Sequence, residues 1–266
     1  MKKLFISADI EGTTGITHWD ETEKGRGDYA YFADQMTREV AAACEGAKAG
    51  GFDFVTIKDA HDSARNLNPR ALPEYTELIR GWCSHPYCMM YGLDKTYAGA
   101  MITGYHSAAQ MSTNPLSHTM TTDQNSVFIN GALASELLIN CLTAAYEKVP
   151  VLLVTGDKGL CDWIAAVNHN IQTVPVNVGH GGGVTAMHPD KAVRLIKETA
   201  ARACEGDASK CMFPLPGHFS VEINYKEHKR ATDKSFYPGA KQKDERTITF
   251  SSDDWFEVLR FFHFVM

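Results

Sequence analysis

The sequence predicts an α/β protein: a mainly parallel sheet sandwiched by helices, followed by a smaller C-terminal α+β domain. Three observations carry that expectation. Strand-like and helix-like patterns alternate from residue 3 to about residue 175. The run Val151-Leu152-Leu153-Val154 is apolar without alternation, as a strand buried on both faces must be. A polar, Pro-containing stretch at 205–217 then precedes a tail that reads strand, helix, strand, helix.

Taken in order, the first strand covers residues 3–9 and enters a loop rich in glycine and charge at 20–28. A helix from Tyr29 to Ala49 ends at Gly50-Gly51, residues that suit a helix C-terminus. Phe54–Lys58 reads as a second strand, Pro73–Trp82 as a short helix and Ala98–Gly104 as a third strand. Residues 117–122 and 126–130 suggest a hairpin around Asp123-Gln124-Asn125. A helix from Leu133 to Lys148 leads into the apolar strand Val151–Thr155. Gly179–Gly183 reads as a flexible connection before a helix over Pro189–Cys204. The tail comprises strand 219–224, helix 226–234, strand 246–251 and helix 253–264. The expected division is an α/β domain at 1–178 and a smaller α+β domain at 179–266. No internal repeat or low-complexity tract interrupts it.

A chain of 266 residues can bury an ample core. Its net charge of −6 supplies no basic footprint for nucleic acid and no polybasic face for a membrane. Met1-Lys2-Lys3 runs straight into a strand too short for a signal-peptide core, and no apolar run approaches the roughly 18 residues of a membrane span. The seven cysteines include no C-x-x-C pair, and Cys44 and Cys141 fall inside apolar helical patterns. They are expected to be reduced core thiols in a cytoplasmic protein. Cys83, His85 and Cys88 lie in a less regular segment, where a zinc knot is the weaker alternative.

The chemistry concentrates at strand ends. Asp9 and Glu11 are spaced i, i+2, so on a strand both project to one face, roughly 7 Å apart. Such a pair of like charges calls for a cation or a shared proton. Asp59-Ala60-His61 follows the second strand, Gly104-Tyr105-His106 the third, and Gly156-Asp157 the fourth. Parallel strands end on one edge, which brings these residues together. Asp9, Glu11, His61 and His106 thus form a carboxylate–imidazole set suited to a zinc-type divalent site, and bridging carboxylates favour two metals. His118, after the loop 107–116, reads either as a general acid/base or as a strand histidine bonded to backbone. Asp59 and Asp157 are candidates for orienting a ligand imidazole, or else ordinary turn and cap residues.

These residues, in order, resemble the D-aminopeptidase (DppA-type) zinc metallopeptidase family: Ser7-Ala8-Asp9-Ile10-Glu11-Gly12, Asp59-Ala60-His61, Gly104-Tyr105-His106, Ser117-His118-Thr119-Met120 and Ser135-Glu136-Leu137. The resemblance runs from residue 4 to about 160 and continues weakly to the C-terminus. It implies a two-zinc aminopeptidase in which Asp9 bridges the metals and Glu11, His61, His106 and Glu136 are the other ligands. It also implies that His118 is the catalytic nucleophile or acid/base. Two domains with the site in the cleft between them, and ring-shaped homo-oligomers reported as decamers, follow from the same resemblance. The expected substrates are small peptides or amides with an N-terminal residue to remove, a D-amino acid included. Zinc, two ions per subunit, is the expected cofactor.

Two points stand apart from that pattern. On a helical wheel Glu136 lies off the stripe Leu133, Ala134, Leu137, Cys141 and Ala145, beside Asn140, Thr143 and Glu147, and reads as part of a solvated face. Only the resemblance makes it a ligand. The Gly179–Val184 stretch departs from the basic or hydroxyl-rich segment of the family and reads as an altered substrate loop. Its His-Gly-Gly-Gly has no G-x-S-x-G partner, which excludes a lipase-type oxyanion loop.

Two rival readings use the same residues. In a haloacid-dehalogenase-like phosphatase Asp9 would be the nucleophile and Glu11 the acid/base, with magnesium and an acidic motif at Asp157 and Asp162. That chemistry has no use for His61, His106 and His118. A non-catalytic peptide-binding protein is the third reading, which the absence of a signal-peptide pattern disfavours.

Overall fold

The computed structural model describes all residues, 1–266. Its first layer is a seven-stranded sheet. β1 (Lys3–Ala8) is followed by α1 (Tyr29–Ala49), β2 (Phe54–Asp59), β3 (Thr76–Ile79) and β4 (Gly99–Tyr105). The chain then leaves this sheet for β5 (Gln124–Ile129) and β6 (Ala132–Leu133) and returns through α2 (Glu136–Tyr146) to β7 (Val151–Asp157). α3 (Lys158–Val167), β8 (Gln172–His180), β9 (Gly183–Ala186) and α4 (Pro189–Glu205) follow. β10 (Phe219–Tyr225), α5 (His228–Lys234), β11 (Lys241–Gln242), β12 (Thr247–Ser252) and α6 (Trp255–Val265) complete the chain.

The first sheet runs β3-β2-β1-β4-β7-β8-β9, parallel throughout except for the last pair. β1, β4 and β7 are apolar and almost wholly buried, as central parallel strands covered on both faces must be. From β1 the chain moves outward to β2 and then back across to β4, so the order reverses between β1 and β4. Right-handed crossovers therefore place α1 on one face and α2 and α3 on the other, with α4 packed on α1. The reversal opens a crevice at the carboxyl ends of β1 and β4, the place where open α/β sheets hold ligands.

The second sheet is antiparallel, in the order β11-β12-β10-β5-β6. It therefore joins residues 124–133 to strands from the C-terminal third. α6 lies between this sheet and α2, and its Trp255 Nε1 donates to Thr143 Oγ1 at 3.0 Å. Tyr225 anchors the other end of α6 by donating its hydroxyl to the Val265 carbonyl at 3.0 Å. No helix is long and apolar enough to cross a membrane.

Several elements differ from the sequence expectation. The segment expected as a helix at Pro73–Trp82 contains β3, where Thr76, Leu78 and Ile79 pair beside β2. These residue types suit a half-covered edge strand, and the β2 edge offers hydrogen bonds that a short isolated helix lacks. Residues 117–122 form only an isolated bridge, Thr119 to Thr121, because the hairpin partner of β5 is β6. Gly179–Gly183 is the tight end of the β8–β9 hairpin, with Gly181 at φ 60°, and not a loose connection. The expected division at 178–179 falls inside β8, and residues through α4 stay with the first sheet.

Candidate metal centre

β1 stops at Ala8, so the common direction of Asp9 and Glu11 comes from the turn that follows and not from strand alternation. That turn is pressed onto β4. Asp9 N donates to Thr103 O at 2.9 Å, and Gly12 N donates to Gly104 O at 2.8 Å. A Cβ on Gly12 would stand 1.9 Å from the Tyr105 carbonyl oxygen, so only glycine allows this approach. The backbone thereby delivers both carboxylates beside the histidine that follows Tyr105.

Three imidazoles meet them. His61, just beyond β2, puts Nδ1 3.3 Å from Asp9 Oδ1 and 3.1 Å from Glu11 Oε2. His106, just beyond β4, puts Nε2 3.5 Å from Asp9 Oδ2 and 3.5 Å from Glu136 Oε2. His118, on the chain crossing between the sheets, puts Nε2 3.9 Å from Glu11 Oε1 and 3.6 Å from Glu136 Oε1. The two oxygens of Asp9 thus face different imidazoles, the disposition of a bridging carboxylate. Three compact donor triads result: Asp9, Glu11 and His61; Asp9, His106 and Glu136; and Glu11, His106 and His118.

Each ring is held by a backbone carbonyl. His61 Nε2 lies 3.0 Å from Thr22 O, His106 Nδ1 3.0 Å from Ser107 O, and His118 Nδ1 2.8 Å from Leu116 O. A carbonyl can only accept, so these nitrogens donate and the opposite nitrogen of the neutral ring presents a lone pair to the carboxylates. Lone pairs facing lone pairs in a buried site require a cation. Consistently, Asp9 Oδ2, Glu11 Oε2 and His106 Nε2 are buried without a hydrogen-bond partner. Three carboxylates with imidazole nitrogens are a donor set for zinc.

Electrostatics report the same demand. Burial, reinforced by Glu11, pushes the Asp9 carboxyl well above its usual range. Burial also opposes ionisation of Glu11 and Glu136, but His61 holds Glu11 well below its usual value and His106 holds Glu136 below. Against the same burial, Glu11 and Glu136 raise His61 and His106 well above the ordinary imidazole value. Without a metal, protons on these rings occupy the role of the cations. His118 behaves differently: burial, followed by repulsion from His106, depresses it.

All six residues singled out in the sequence, Asp9, Glu11, His61, His106, His118 and Glu136, come together here. The solvated face inferred around Glu136 is overturned. Glu136, Asn140 and Thr143 are all buried, because β4, residues 88–90 and α6 pack against α2. Glu136 Oε1 accepts Met120 N at 2.7 Å, and Asn140 Nδ2 donates to the Tyr105 hydroxyl at 2.8 Å. Glu136 is also the first residue of α2, after the Ser135 cap, where a carboxylate suits the helix N-terminus.

Neither Asp59 nor Asp157 touches an imidazole ring. Asp59 accepts from Asn66 N at 2.6 Å and Leu67 N at 2.8 Å, and Asn66 in turn donates to His61 O at 2.7 Å. Asp157 caps α3 through Leu160 N at 2.9 Å and receives Ser107 N and Oγ at 2.6 Å each. It thus acts on His106 through the Ser107 backbone. Asp162 pairs with Lys158 at the surface, so the acidic motif of a phosphatase is not assembled. His85 packs against Tyr87, Tyr91 and Phe256, and Cys83, His85 and Cys88 form no metal-ligand cluster. Sequence reasoning missed Thr22, Ser107 and Leu116, whose carbonyls carry no side-chain signal.

A cavity of about 420 Å³ opens over the cluster. Asp9, Glu11, His61, Glu136 and His118 reach it, together with Trp19 and residues of α6. Trp19 packs edge-on to His118 with ring centroids 5.3 Å apart. The Gly179–Val184 hairpin does not line this cavity.

Comparison with known proteins agrees with the geometry. The family model described as D-aminopeptidase matches residues 1–264. A protein named D-aminopeptidase from Bacillus subtilis (strain 168) is 30% identical over 259 residues, covering 96% of this chain and 93% of that protein. The solved structure described as the Zn-dependent D-aminopeptidase DppA from Bacillus subtilis, a self-compartmentalizing protease, superposes with a TM-score of 0.92. It is 28% identical, and the match covers 99% of this chain and 96% of that one.

Proposed function

This chain belongs to the D-aminopeptidase family, and from that premise we propose that it is a two-zinc aminopeptidase acting on small peptides or amides, those with an N-terminal D-residue included. The observation that carries the reading is the pair of donor triads sharing Asp9, whose two oxygens face His61 and His106. Asp9 would bridge the metals, Glu11 and His61 would hold one, and His106 and Glu136 the other. Bound there, zinc supplies Lewis acidity toward the scissile carbonyl and a more acidic water.

The chain's own residues supply the rest. His118 is the catalytic acid/base in this reading. Its Nδ1 is committed to the Leu116 carbonyl, its Nε2 faces the cavity beside Glu11 and Glu136, and its depressed basicity keeps that nitrogen free to accept a proton. Trp19 and the stacked His106 ring fix its plane. With a side chain 13% exposed, it is the most accessible of the six residues, as proton transfer to substrate requires. His106, wholly buried beneath it, is suited to ligation alone.

The relative described as self-compartmentalizing supports a homo-oligomer for this chain, with a decamer as the expected size. The seven free thiols support the expected cytoplasmic location. Zinc content of the wild type and of His118→Ala, measured beside hydrolysis of D- and L-aminoacyl anilides, tests the proposal. Two zinc ions in both proteins with turnover only in the wild type is the expected result. Loss of one zinc in His118→Ala would make His118 a ligand instead.

A further inference from the structure

Behind the donor cluster, the hydroxyl of Tyr105 joins three segments of the chain. Tyr105 is fully buried. A Cβ on either Gly12 or Gly156 would stand 1.9 Å from its carbonyl oxygen, so its backbone is gripped by the turn after β1 and by β7. Ser7 Oγ donates to the Met89 carbonyl at 2.8 Å, which uses its only proton. Toward the Tyr105 hydroxyl, 2.6 Å away, Ser7 Oγ therefore accepts. Tyr105 donates there and accepts Asn140 Nδ2 at 2.8 Å. The bonds run in one direction, from Asn140 through Tyr105 and Ser7 to Met89.

Each member of this chain of bonds stands beside a candidate ligand. Ser7 is two residues before Asp9, Tyr105 immediately precedes His106, and Asn140 lies one helical turn beyond Glu136. Those three neighbours make up one donor triad, Asp9, His106 and Glu136. Glu11 and His61 have other supports. Glu11 O accepts Asn114 Nδ2 at 3.1 Å, and His61 is held by Thr22 O and Asn66. The backbones of β1 and β4 pair directly, whereas α2 meets β4 through side chains, so the Asn140–Tyr105 bond sets where Glu136 stands relative to His106. Within the two-zinc reading, on which this rests, we propose that Tyr105 is a positioning residue for one metal only. Its hydroxyl fixes the spacing of Glu136 and His106, and so the affinity for the ion they share with Asp9, without bonding to any ligand side chain.

The test titrates zinc into the metal-free full chain against a competing chelator, in the wild type and in Tyr105→Phe, which removes the hydroxyl and keeps the ring. Glu136→Ala identifies the binding step that belongs to the His106–Glu136 ion. That step should weaken about 10–100-fold in Tyr105→Phe, while the other stays near its wild-type value. Asn140→Leu breaks the same chain of bonds from α2 and should shift the same step, and it carries the test by itself if Tyr105→Phe does not fold. Thr143→Val is the control for packing alone. It removes the bond from Trp255 at another buried position of α2 and should leave both steps unchanged. Equal weakening of both steps, weakening of neither, or the same selective loss in Thr143→Val overturns the inference and leaves the two-zinc reading intact. A wild type that takes up fewer than two zinc ions overturns both.

Discussion

The imidazole rings of His106 and His118 lie stacked, with centroids 4.2 Å apart and planes 13° from parallel. Both point Nε2 at the carboxylates and both tie Nδ1 to a nearby carbonyl, yet only His118 borders the cavity. Two chemically identical side chains thereby acquire different work, one buried as a ligand and one placed to exchange protons.

Replacing His118 by alanine should therefore leave zinc content intact and lower kcat by about 10²–10⁴-fold. In the wild type the acidic limb of kcat/KM should fall below the ordinary imidazole value of about 6.5. The sign follows from burial, the largest cause of the depression, which disfavours protonated His118. A pH profile of wild type and variant checks it, because the limb must vanish with the ring.

Asp9→Asn should act in opposite directions with and without metal. Zinc-loaded, the variant should melt lower than the wild type, since the proposed bridge is lost. At zinc about a thousandfold above Kd, binding contributes about 4 kcal/mol. Metal-free, the variant should melt higher near neutral pH. The Asp9 carboxyl is raised in the fold, so the wild type carries a penalty that is absent below the unfolded value of about 3.9 and grows as pH rises toward the folded value. Calorimetric melting with and without chelator decides between these signs.

Gly12→Ala should cost more than ordinary overpacking, about 1–3 kcal/mol, because the added carbon meets the Tyr105 carbonyl and not a mobile side chain. Glu11 is its neighbour, so zinc affinity should fall with stability. Denaturant unfolding together with zinc titration measures both.

Asp157→Ala should destabilise by more than the about 1 kcal/mol of a lost helix cap, since Ser107 N and Oγ also lose their acceptor. Ser107 supplies the carbonyl that orients His106, so zinc affinity should also drop about 10–100-fold. Zinc affinity equal to wild type would confine Asp157 to its capping role.

Much of this site is legible in the residues alone. Asp9, Glu11, His61 and His106 stand beside apolar strands, and parallel strands leave no choice about which edge their ends share. Glu136 was not legible from periodicity. A wheel sees one helix, and the polar stripe of α2 is solvated or buried only according to what packs on it. Here Asn140 reaches Tyr105, Thr143 receives Trp255, and Glu147 accepts the Tyr87 hydroxyl, so the stripe faces protein. The segment Thr76–Ile79 escaped for the same kind of reason, since an edge strand is made by the neighbour it pairs with.

The sequence by itself determined the donor types and their order along the chain, because residue chemistry and strand termini are local properties. Only the tertiary structure decided that one oxygen of Asp9 faces His61 and the other His106, and that Glu136 closes the second triad. It also decided which ring nitrogen is free. The carbonyls of Thr22, Ser107 and Leu116 set that, and a backbone carbonyl is present at every residue until the fold aims one of them.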